Sequence, residues 1–252
     1  MKRSRWMALC ALAMLLLWAM PAGAFEIGAR AMYWFPSFKG DLRVDSNSVT
    51  GSTLNLKDTM GVGNESFATY EVFGGVGKHS ISLAYTPVNY SGSTTLTSPI
   101  TFNGQTFTGN VNTELKLRML DLQYQNKVID MENILAGFSI SAIGQIKYIE
   151  GQAKMNSAAA STDNTLRVPI PMIGLGAHVG LLAGILEARA QVTGIAYSSN
   201  YLYEALADVS VTPFPFLDIH GGYKVIRLKI DRNDNFLDAQ FAGPYVGLTV
   251  SF

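Results

Sequence analysis

The last twelve residues, Phe241-Ala-Gly-Pro-Tyr-Val-Gly-Leu-Thr-Val-Ser-Phe252, constrain this chain most. Val246, Leu248, Val250 and Phe252 form one face of a strand, and Tyr245, Gly247, Thr249 and Ser251 form the other, because successive side chains of an extended chain point to opposite sides. Termini in water usually fray. An apolar strand ending on an aromatic residue is therefore expected to be paired along its edge and covered on its apolar face. Both needs are met when the last strand meets the first and the sheet closes inside a bilayer.

The other end agrees. Met1-Lys-Arg-Ser-Arg5 is positive, Trp6–Met20 carries no charge, and Pro21-Ala22-Gly23-Ala24 supplies a small-residue cleavage site. This reads as a secretory signal peptide, residues 1–24, with the mature chain at 25–252. Cys10, the only cysteine, leaves with it, so no disulfide is expected. Removing Lys2, Arg3 and Arg5 from 19 basic and 19 acidic residues leaves a net charge of −3. A mildly acidic chain argues against a nucleic-acid partner. No apolar run of about 18 residues survives cleavage, which excludes a helical membrane protein but not a β-barrel, whose two faces average out.

Strands are expected near 26–35, 65–74, 79–102, 105–128, 134–150, 168–182, 185–197, 201–212, 217–230 and 237–252. The short connections are Gly75-Val-Gly77, Asp130-Met-Glu132, the Ala183-Gly184 region and Pro213-Phe-Pro215. The longer ones are 36–64, the 103–104 tip, 151–167, 198–200 and 231–236. Short turns at one end and long loops at the other is the outer-membrane arrangement, with the short turns periplasmic. Asn103-Gly104 is the preferred pair for a two-residue hairpin turn. It pairs residues whose numbers sum to 207, so Ile81 faces Asn126 and Leu83 faces Tyr124. Each arm exceeds the roughly 9–11 residues of a membrane crossing, so 91–115 is expected to stand outside as a polar ribbon that folding does not require. Aromatics gather in two belts. The outer one holds Tyr33, Phe35, Tyr85, Tyr148, Tyr197, Tyr201, Tyr203 and Phe241, and the periplasmic one Phe25, Tyr124, Phe138, Phe214, Phe216, Tyr223 and Phe252.

The terminal strand and the signal peptide resemble those of small Gram-negative outer-membrane β-barrels of the OmpA-like and porin-like superfamily. The resemblance implies that Val246, Leu248, Val250 and Phe252 are an assembly signal read by the barrel-assembly machinery. The expected fold is an all-β, antiparallel, up-and-down transmembrane barrel of ten strands, with eight or twelve as alternatives, in the bacterial outer membrane. A monomer is expected, with outer-membrane lipids including lipopolysaccharide as partners.

The inward phase carries Arg30, Glu71, Asp121, Lys147, Glu187, Arg189, Glu204, Asp208, Asp218 and Lys224. A ten-stranded barrel is little wider than one that side chains fill. Charges of both signs there form either a paired network that closes the lumen or the lining of a narrow polar pore. Glu187-Ala-Arg189 beside Glu204 and Asp208 is the favoured cluster. Lys116 and Arg118 fall on the outward phase above the belt, where they either meet lipopolysaccharide phosphates or are solvated.

Catalytic signals are few. His79, His178 and His220 all fall towards the periplasmic turns, the wrong end for outer-leaflet substrates. No metal-spaced histidine pair, G-x-S-x-G motif or phosphate loop is present, and no cofactor or metal is expected. The reading is a non-enzymatic barrel with a structural or surface-interaction role and a largely filled lumen. The alternatives are a narrow diffusion channel for small polar solutes and an outer-membrane hydrolase. The loops 36–64, 91–115 and 151–167 would meet the exterior.

Overall fold

A computed structural model describes residues 25–46, 49–131, 137–182, 185–232 and 235–252. The expected signal peptide and the Ala183-Gly184 turn lie outside the described residues. The strands are β1 Phe25–Trp34, β2 Ser37–Val44, β3 Leu54–Asn55, β4 Phe67–Val76, β5 His79–Phe102, β6 Gln105–Met131, β7 Phe138–Ser157, β8 Ser161–Leu181, β9 Leu186–Tyr197, β10 Asn200–Phe214, β11 Leu217–Arg232 and β12 Asn235–Ser251. Ten of them close an antiparallel ring in the order β1, β4 to β12, back to β1; β2 and β3 lie outside the ring. The fold is therefore the expected all-β transmembrane barrel.

The seam is built from the terminal strand. Tyr33 pairs with Val246, Ala31 with Leu248 and Ala29 with Val250. Ile27 and Phe252 exchange both backbone hydrogen bonds at 3.0 and 2.8 Å, and the Phe252 ring stacks on Phe216 at 5.2 Å. Val246, Leu248, Val250 and Phe252 all face outward and are exposed.

Pro36 interrupts the first strand. It has no N–H to give to a ladder, and β1 ends at Trp34 while β2 resumes at Ser37 and pairs with the upper part of β12. On the other side β4 begins only at Phe67, so β2 has no ring neighbour there. The segment 49–66 fills that gap. Its β3 pairs with β2 through Leu42–Leu54, and Ser52 exchanges hydrogen bonds with Thr101 of β5. Met60-Gly61-Val62 lies so close against β5 that a Cβ on Gly92 would sit 2.4 Å from the Met60 carbonyl oxygen.

The long ribbon departs from its expected register. Asn103 and Gly104 have φ of 48° and 72°, as the two-residue turn needs, and Phe102 pairs with Gln105. Between Leu96 and Ile100 the register shifts, so Leu96 faces Gly109 while Ile100 faces Phe107. Pro99 lies in this bulge, where a missing N–H costs no ladder bond. Ile81 consequently pairs with Tyr124, not Asn126, and Leu83 with Leu122. The shift is two residues, so every side chain keeps its face. The bend turns the tip inward: Asn103 Nδ2 donates to Thr162 Oγ1 at 3.0 Å and its backbone N–H to the Val44 carbonyl at 3.1 Å. The ribbon therefore folds across the mouth instead of standing clear of it. The expected loop 151–167 is also strand, since β7 and β8 pair from Phe138–Val179 up to Asn156–Ser161.

Inside, the barrel has two zones. The outer half is an apolar core of inward side chains. Phe38 stacks on Tyr90 at 4.7 Å and on Phe241 at 4.9 Å, and Phe67 meets Tyr90 edge-on at 5.1 Å. Trp34, Val44, Leu54, Leu56, Met60, Val62, Phe102, Phe107, Val111 and Met155 are buried with them. Phe241, expected in the outer belt, is thus a core residue, in phase with Tyr245. Phe107 and Val111 of the ribbon are fully buried, so the ribbon's inner face belongs to the core. The periplasmic half of the lumen is polar.

Candidate functional site

Three register pairs set the polar half: Arg30 opposite Glu71, Asp121 opposite Lys147, and Arg189 opposite Asp208. Each places opposite charges side by side on the inner face, the cross-strand arrangement that stabilises. Arg30 Nη1 lies 3.0 Å from Glu71, and Arg189 Nη2 lies 2.5 Å from Asp208. Lys147 Nζ lies 2.6 Å from Asp121 and also reaches Glu204 of β10 at 2.9 Å. Lys224 of β11 holds the second Glu204 oxygen at 2.7 Å. Lys224 Nζ also stands 5.4 Å over the Trp34 ring, where the polar zone meets the apolar one.

Arg30, Lys147, Arg189 and Lys224 balance Glu71, Asp121, Glu204 and Asp208. Neutral groups take up part of the remainder, while Arg189 Nε and His220 Nδ1 stay buried without a hydrogen-bond partner among the described residues. Gln145 donates to Asp121 at 2.8 Å and accepts from Thr193 at 2.7 Å. Arg30 Nε donates to Thr249 Oγ1 at 2.9 Å, and the Tyr245 hydroxyl donates to Asp208. Lys147 is 1% exposed, and a charge so placed persists only with partners.

The favoured cluster from the sequence divides. Arg189 joins Asp208, whereas Glu204 turns to the two lysines. Glu187 sits lower, 3.3 Å from His178, and Asp218 accepts from Thr212 at 2.6 Å. Gln145, Thr193, Tyr245 and Thr249 were missed as members, although each lies on the inward phase of its strand. A cavity of about 250 Å³ lies within this zone, walled by Arg30, Glu71, Gln123, Gln191 and Lys224 and bordered towards the turns by Glu26 and Asp218.

His220 adds one further geometry. Its Nε2 is 3.2 Å from Thr249 Oγ1 and its Nδ1 is 3.8 Å from Asp208. The sequence of groups is that of an orienting acid, a base and a hydroxyl. The acid does not reach the base, however, because Arg189 and Tyr245 occupy Asp208. The orienting bond that activates a nucleophile is absent at these distances.

No protein-family model and no curated protein matches the chain. Solved structures do. The outer-membrane protease OmpT from Escherichia coli superposes with a TM-score of 0.60 at 13% identity, covering 91% of this chain and 98% of that one. The translocator domain of the autotransporter NalP from Neisseria meningitidis gives 0.44 at 9% identity, covering 99% and 96%. Ail of Yersinia pestis gives 0.40 at 11%, covering 90% and 99%. The likeness to OmpT identifies the fold as that of a bacterial outer-membrane β-barrel, and the bacterial outer membrane is where such a fold resides.

Proposed function

We propose that this barrel is closed and serves a structural or surface-interaction role, without catalysis and without steady passage of solutes. The observation that carries the reading is the burial of Leu54, Leu56, Met60 and Val62 among the aromatic side chains of the outer half. A segment outside the ring contributes these residues, and the result is a core packed by side chains, as a narrow barrel permits. Below it, Lys147 spans from Asp121 to Glu204 inside the lumen. The exterior then offers its outward ribbon faces and the Ala158-Ala159 turn of the β7–β8 hairpin, which are exposed.

The test is conductance of the purified protein in a planar bilayer. A closed barrel gives no steady current above that of the bilayer alone. A large, stable conductance would remove this reading and favour the narrow channel, for which the polar cavity supplies half of a path. Activity on peptides or lipopolysaccharide that tracks the intact barrel would favour the hydrolase instead.

A further inference from the structure

The outward faces of β5 to β8 form horizontal rows. In one row Tyr85, Leu120, Tyr148 and Pro169 are direct cross-strand partners. The row below it is Leu83, Leu122, Ile146 and Pro171, which is wholly apolar. The row above is Pro87, Arg118, Glu150 and Arg167. Rows on one face are about 7 Å apart along the strands, so the charge begins one step above an aromatic level. Interfacial tyrosines mark the headgroup depth of a bilayer. Arg118 and Arg167 therefore stand at lipid headgroups, on the side of the barrel away from its short turns.

Their pairing leaves charge unspent. Arg118 Nη1 lies 3.7 Å from Glu150 Oε2, while Arg167 donates to Glu150 Oε1 from Nε and Nη2 at 3.1 and 2.9 Å. Two guanidinium groups thus share one carboxylate. Both arginine side chains are 65% exposed, against 24% for the glutamate between them. One row higher Lys116 adds a further cation, paired 3.1 Å from Glu114. Outward Arg227, on the far wall, is different: it meets Tyr201, Gln240 and the carboxylate of Asp238. Glu150 offsets only one of the two positive charges and leaves the outer N–H groups of both forks to the lipid. A planar fork matches phosphate in geometry as well as in charge.

We infer that Arg118, Glu150 and Arg167 form a docking site for a lipid phosphate of the outer leaflet, the phosphorylated glucosamine of lipopolysaccharide, with Tyr85 and Tyr148 against the acyl chains beneath. This site stands apart from the closed-lumen reading, and neither depends on the other.

Native mass spectrometry of the full barrel released from detergent tests it, with diphosphoryl lipid A, the same lipid stripped of phosphate, and phosphatidylglycerol as probes. Diphosphoryl lipid A is expected to be retained in preference to the other two. The R118A/R167A double variant should bind it roughly tenfold less well, as the loss of two charge-assisted contacts implies. E150Q should bind it severalfold more tightly, because the competing carboxylate is gone. Equal retention of stripped lipid A or of phosphatidylglycerol overturns the inference, as does full displacement by millimolar inorganic phosphate, which would indicate a free-anion site. Folding is checked by heat-modifiable migration. If the double variant does not fold, E150Q still decides, since unchanged or weakened binding there also overturns it.

Discussion

Lys147 and Glu204 meet at 2.9 Å from β7 and β10, strands separated in the ring by β8 and β9. The contact is a chord through the lumen, not a rung between neighbours. With Asp121 on one side and Lys224 beyond Glu204, it makes a line of alternating charge from β6 to β11.

Lys147→Ala should therefore be among the most damaging substitutions in the lumen. It leaves Asp121 and Glu204 buried with reduced compensation, at a cost of about 3–5 kcal/mol for a broken buried pair. The temperature at which heat-modifiable gel migration is lost should fall clearly. Glu114→Gln, on the exposed exterior, should leave it unchanged. Equal midpoints for the two variants would show that the chord does not hold the barrel.

The same chord predicts a rescue. Replacing Lys147 and both its carboxylate partners by Met, Leu and Met should recover most of the stability lost in Lys147→Ala, because packed apolar side chains often replace buried ions without loss. Lys224 would then have no partner from Glu204, so Lys224→Met completes the set. Thermal midpoints of the single and quadruple variants decide this.

Gly92→Val should dislodge the segment 49–66. The new Cβ would meet the Met60 carbonyl oxygen at 2.4 Å, and that atom is backbone with little room to move. Extracellular protease added to intact cells should cut this segment in the variant and spare it in the parent. If conductance appears in the same variant, the segment is also the seal.

Insertion tolerance should differ between two hairpins. An epitope placed between Ala158 and Ala159, both exposed, should be detected on intact cells at parental protein levels. One placed after Gly104 should lower the yield, because the tip is tied to Val44 and Thr162 and flanked by buried Phe102 and Phe107. Detection of the first epitope only after permeabilisation would invert the assigned orientation.

Deleting Phe252 should reduce the folded outer-membrane fraction more than Phe252→Ala does. The deletion removes the paired hydrogen bonds to Ile27 as well as the stack on Phe216, whereas the substitution removes the stack alone. An aromatic pair adds about 0.5–1.5 kcal/mol beyond its buried area. Quantifying folded and unfolded bands in outer-membrane fractions separates the two.

Period-two alternation made the ring, the inward and outward faces and the inward direction of the charged residues readable from the residues, since one phase error would reverse a whole strand. It could not reveal which charges meet. Glu204 turns to Lys147 across the lumen because of ring closure, and no local spacing encodes that. The segment 49–66 stayed hidden because Leu54, Leu56, Met60 and Val62 belong to no sustained alternation. Pro99 concealed the register shift, because a bulge of two residues preserves the faces from which register is inferred. Phe241 was open to correct assignment by its phase with Tyr245, and was misplaced because its position near a strand end suggested a belt.

The bonds between Ile27 and Phe252 join the beginning of the described chain to its end. In kinetic terms this is a contact of very large sequence separation among the described residues, and its loop-closure entropy is charged before any of its pairing is gained. The hairpins from β5 to β12 can form early and locally, but the β1–β12 rungs require every intervening residue to be in place. The rate of assembly is thus expected to be set at this junction, and slowing it should accumulate chains whose hairpins are formed and whose circumference is not.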